Sequence, residues 1–90
     1  MNSDSHQETL LSMRSLLNRE FSPSFLEIIN DSDRHKSHRE AKKHPDKGHF
    51  LLKINSAAFL GKTRIQQHRM IYECLSSIMN KIHALNILIL

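Results

Sequence analysis

Ninety residues suffice for one domain and not two, since domains usually run from ~50 to ~250 residues. The formal charge of +4, from 13 Lys and Arg against 9 Asp and Glu, favours an anionic partner but at this size does not identify one. The single cysteine, Cys74, excludes an intrachain disulfide framework and every paired-cysteine zinc or redox motif, and fits a reducing compartment.

Residues 31–47 hold one apolar side chain, Ala41, and residues 1–8 only Met1. About half of the remaining positions are apolar, as expected for a packed core that carries a polar insert. Met1–Glu8 lacks the basic and then apolar order of a signal peptide, and no apolar run approaches the ~20 residues of a membrane span. The expectation is a soluble cytoplasmic protein, with no membrane contact and with residues 1–8 flexible.

In chain order, Ser5 and Glu8 have the spacing of a capping box, which predicts a helix start at Ser5. Leu10, Met13, Leu17 and Phe21 follow at three- and four-residue steps, one face of that helix, widened by Leu16. Ser22-Pro23 ends it, because the residue before proline is pushed out of the helical region. Phe25–Ile29 reads as a strand. Residues 31–47 show no periodicity and form a connection longer than the ~12–15 residues usual for an unstructured loop. Phe50, Leu52 and Ile54 alternate with Leu51, Lys53 and Asn55, which predicts a second strand, antiparallel to the first.

A short helical turn is expected near Ser56–Phe59, then a turn at Phe59–Lys62, then a helix opened by a Thr63/Gln66 capping box. Ile71, Leu75, Ile78 and Ile82 share one face of that helix over about four to five turns, with Gln66, Gln67, Arg69, Glu73, Ser76, Ser77 and Asn80 facing water. The tail from His83 to Leu90 is apolar on both parities and suits a strand covered on both faces. The expected fold is α/β (α+β), a single small domain in α-β-β-α-β order. Its sheet is three-stranded and mixed, with helices on one face, in a KH-like class II topology.

Seven histidines are many for this length, and His35, His38, His44 and His49 fall in or beside the long loop. Surface histidines are ordinarily polar filler, yet histidine is also the commonest metal ligand. His83 stands at the junction of the long helix and the last strand. With the first and last strands adjacent in one sheet, His35 and His83 would approach each other near one edge. Structural zinc takes four ligands and catalytic zinc three plus water, so such a pair is half a site. Two histidines can hold one iron of a two-iron, two-sulfur cluster when another molecule supplies the rest. His68 reads as a packing residue, and Cys74 as a small buried hydrophobe with no thiol chemistry organised around it.

A nucleic-acid reading stays open beside this one. A helix-turn-helix-like segment runs from Ser56 through Gly61 into the helix carrying Arg64 and Arg69, with Lys62 and Arg64 where phosphate would be welcome. Lys36, Arg39, Lys42 and Lys43 add charge from the loop. The second glycine of a KH phosphate-gripping loop is missing, and Tyr72 is the one large stacking aromatic besides four phenylalanines.

The segments Phe25–Ser32, Gly48-His49-Phe50, Phe59–Lys62, Gln67–Tyr72 and Ile82–Leu85 resemble, in this order and spacing, the BolA family. The resemblance spans residues 9–90, and its most specific parts are His68-Arg69-x-x-Tyr72 and His83-Ala84-Leu85. It implies a compact KH-like domain without known enzymatic activity. It also implies a monomer that forms a heterodimer with a monothiol glutaredoxin of the CGFS type. The pair would share a glutathione-bound 2Fe-2S cluster in iron-sulfur trafficking or iron regulation, with no cofactor expected in the isolated chain. Some bacterial members are DNA-binding regulators of morphology and stress genes. The implied cluster ligands are His83 and, past Asp31-Ser32, His35, for which His38 or His44 could substitute. The loop is longer and richer in Lys and His than the family pattern, and Gly48 stands where Ser or Thr is frequent.

Overall fold

The computed structural model describes residues 2–31 and 48–90, without the side chains of residues 2–5. Helix α1 spans Asn2–Phe21 and buries Leu10, Met13, Leu17 and Phe21, the stripe set by their spacing. The helix starts before Ser5, so Ser5 is not its N-cap and residues 2–8 are helical. Extending a formed helix costs far less than nucleating one, and buried His6 and Thr9 carry the inward stripe a turn further back. At the other end, Ser22 takes a left-handed φ of 41° while its N–H still donates to the Asn18 carbonyl at 3.1 Å, and Pro23 prevents resumption.

Strand β1 (Phe25–Asn30) pairs antiparallel with β2 (Gly48–Asn55), as expected for the hairpin. A 3-10 turn follows at Ala57–Phe59, capped by Ser56, and helix α2 covers Arg64–Cys74. Its capping box is complete: Gln66 N–H donates to Thr63 Oγ1 at 3.1 Å and Thr63 N–H to Gln66 Oε1 at 2.9 Å. The single long helix expected here is instead two pieces, because Ser76–Lys81 winds as 3-10 turns after Leu75. Ser76-Ser77 favours helix weakly, and the tighter winding carries the chain to the start of β3 (Ile82–Ile89). Gln67 is half-buried, not facing water, since its Nε2 donates to the Phe59 carbonyl at 3.1 Å.

The sheet order is β1-β2-β3, with β3 parallel to β2. The first and last strands are therefore not neighbours: β2 lies between them. A parallel partner needs a crossover, and residues 56–81 supply it. Leu26, Ile28, Phe50, Leu52, Ile54, Leu85, Ile87 and Ile89 belong to the core with α1, Phe59, Ile71 and Leu75. Each fully buried large side chain here contributes about 1.5–3 kcal/mol. The opposite sheet face is open, with Phe25, Ile29 and Leu88 exposed and a Lys53–Glu27 ion pair at 3.7 Å. β3 is thus an edge strand covered on one face, not both, because both helices lie on the same side. No helix among the described residues is long and apolar enough to cross a membrane.

Candidate functional site

Antiparallel β1 ends where β2 and β3 both begin, so Asn30, Gly48 and Ile82 share one end of the sheet. Asp31 N–H donates to the His49 carbonyl at 2.7 Å and ties the last described residue before Gly48 to β2. His83 lies at this same end. Gly48 pairs with Ile82 and His49 with Ala84, so the register slips by one and His83 is the extra residue of a β-bulge. Bulges re-aim a side chain and interrupt the ladder. The His83 ring meets the His49 ring at a centroid separation of 4.8 Å, tilted by 53°.

The two imidazoles differ in access. His49 is 6% exposed, on the central strand, whereas His83 is half-exposed on the edge strand. The local backbone depends on Gly48: a Cβ there would overlap the Cε2 and Cζ atoms of the buried Phe50 ring. That ring occupies the space that a Ser or Thr side chain would need. Among the described residues no three His, Cys, Asp or Glu groups converge as a metal site. A metal at His83 would therefore draw further ligands from outside this part of the fold.

His35, His38 and His44, with Lys36, Arg39, Lys42 and Lys43, lie outside the described residues. The sequence places His49 among the histidines in or beside the long loop and in the Gly48-His49-Phe50 segment, without pairing it with His83. What brings it to His83 is the parallel β2–β3 pairing, and only the strand order could have revealed that. Cys74 is structural: its Sγ donates to the Leu16 carbonyl at 3.4 Å. Burial pushes the thiol above its ordinary value, helped by Glu20 and opposed by Arg19.

The remaining cations sit elsewhere on the molecule. Lys62, Arg64 and Arg69 are exposed, and Lys62 and Arg69 line a groove of about 210 Å³ with Gln66, Met70 and Glu73. Among the described residues none of the three is engaged in an ion pair. Leu60 and Ile65, 77% and 71% exposed, flank this cationic turn.

Comparison with known proteins agrees with this architecture. The family described as BolA-like protein matches residues 17–90. The chain is 36% identical over 72 residues to the DNA-binding transcriptional regulator BolA of Vibrio cholerae, a match covering 79% of this chain and 63% of that protein. Its counterpart in Haemophilus influenzae is 39% identical over 70 residues, covering 77% and 63%. The chain thus spans a little under two thirds of these relatives. Among solved structures, the BolA domain of SufE1 from Arabidopsis thaliana superposes with a TM-score of 0.74 at 34% identity, covering 88% of this chain and 86% of that one. On the matched 17–90 segment, the strand order and these relatives, the chain belongs to the BolA-like protein family.

Proposed function

We propose that this chain is a non-enzymatic adaptor that pairs with a monothiol CGFS glutaredoxin and shares its glutathione-bound 2Fe-2S cluster. In this reading His83 and His35 bind one iron, while the glutaredoxin thiolate and glutathione serve the other. Two imidazoles on one iron of such a cluster are established inorganic chemistry. The observation that carries the reading is the half-exposed His83 on a bulge, at the sheet end that also holds Asp31 and Gly48, the residues on either side of the histidine-bearing sequence 32–47. Two strand spacings, about 10 Å, separate the β1 and β3 lines. His35 lies four residues past Asp31, and at ~3.3–3.6 Å per residue that length of chain spans the gap. The cluster is cargo delivered by the partner, so the chain supplies an incomplete set of ligands. Mixing the full chain with cluster-loaded glutaredoxin should give a new visible absorption and circular dichroism spectrum. His83→Ala should abolish it, and an unchanged spectrum would refute the ligand assignment.

A second reading, DNA binding by a transcriptional regulator, is favoured by the names of the bacterial relatives and by the exposed Lys62, Arg64 and Arg69. Sequence-specific binding that survives physiological salt would support it. Binding that vanishes on a modest salt increase without sequence preference would reduce it to general attraction between opposite charges.

A further inference from the structure

We infer that His49 is the positioning residue for His83: a buried ring that fixes the direction in which His83 offers its imidazole to a metal carried by another molecule. The inference rests on His83 being a cluster ligand. His83 is the bulged residue of an edge strand, where the β2–β3 register slips by one, and it is half-exposed. Left to the backbone alone, the side chain would lose rotamer freedom each time a metal was bound. Useful ligands are held within ~0.5 Å and ~10–20° by what surrounds them.

His49 supplies that support. It sits on the central strand, paired to β3 on one side and receiving the Asp31 N–H at 2.7 Å on the other. The residue is 6% exposed, and its Nε2 is buried. The centroid separation of 4.8 Å and the 53° tilt are those of aromatic rings in contact. Burial also separates the roles: an iron arriving on another protein meets the half-exposed His83, not the enclosed nitrogen of His49. The contribution of His49 is therefore the shape and rigidity of its ring, not a bond to the metal.

The test uses the full chain, a cluster-loaded CGFS glutaredoxin and visible circular dichroism, at limiting and at saturating partner. His49→Ala should weaken the loaded heterodimer about tenfold, the lower end of what supporting residues around metal ligands contribute. At saturation its bands should still differ in intensity from wild type, because the ligand is held differently. His49→Phe, which keeps a planar ring and removes both nitrogens, should restore affinity and bands. Should His49→Ala fail to fold, His49→Leu takes its place with the same expectation. Wild-type spectra from the Ala or Leu variant would overturn the inference. So would a Phe variant as impaired as Ala, which would show that a ring nitrogen of His49, not the shape of its ring, carries the effect. An unchanged spectrum for His83→Ala would instead refute the cluster reading beneath it.

Discussion

The Asp31 N–H and the His49 carbonyl, 2.7 Å apart, bind the last described residue before the basic loop to the strand that faces His83. Asp31 is thus held at the same sheet end as the proposed ligand. Single replacements should sort its histidines. His35→Ala should change the visible spectrum of the loaded heterodimer while His38→Ala and His44→Ala leave it intact. A spectrum altered only by His38→Ala or His44→Ala would move the second ligand to that residue.

Ser56 is a joint between helix and sheet. Its Oγ donates to the Phe21 carbonyl at 2.6 Å in a buried setting and accepts from Ala58 N–H at 3.1 Å, beside the Phe21–Phe59 ring contact at 4.9 Å. Ser56→Ala leaves a buried carbonyl unsatisfied and removes a cap, so it should cost about 2 kcal/mol in urea unfolding. A loss within experimental error would show that water replaces the hydroxyl.

Two backbone positions should respond in opposite directions. At Ser22, with φ 41°, glycine relieves a conformation that costs side-chain-bearing residues about 1–2 kcal/mol, so Ser22→Gly should raise stability by a good part of that. At Gly48, alanine collides with the Phe50 ring, and Gly48→Ala should lower stability by about 1–3 kcal/mol. Denaturant midpoints measure both, and a stabilising Gly48→Ala would contradict the packing described.

Cys74 carries a pH dependence with a definite sign. Burial, followed by Glu20, raises the folded thiol above its ordinary value of 9.0, so the folded state holds the proton more tightly than the unfolded one. Its contribution to stability is fully present below about pH 9 and is lost as pH rises through the folded value. Wild type should therefore lose stability faster than Cys74→Ala in alkaline buffer, and iodoacetamide should react slowly at pH 8 until the chain unfolds. Rapid alkylation of the native protein would contradict it.

Much of the fold was legible because local chemistry and tertiary demand agree. The α1 stripe, the Pro23 stop, the Thr63/Gln66 box and the β1–β2 alternation each follow from spacing alone, and each is found. The misreadings arise where the decision is tertiary. Helical spacing continues from Ile71 to Ile82, but the chain must turn to bring Ile82 beside Gly48, and the last turns tighten. The apolar parity of β3 resembles a buried strand because a three-stranded sheet leaves apolar residues such as Leu88 in the open. At the site, His83 was legible from its motif, whereas His49 was not paired with it, since no local pattern encodes a parallel neighbour or a bulge.

Whether the sheet end at His83 is the surface that receives a partner's cluster can be read from backbone amide shifts. Cluster-loaded CGFS glutaredoxin is titrated into the labelled chain. Perturbation and broadening should concentrate at Gly48–Phe50 and Ile82–Leu85, with Lys62–Arg69 unaffected. Shifts confined to Lys62–Arg69, or none at saturating partner, would contradict it.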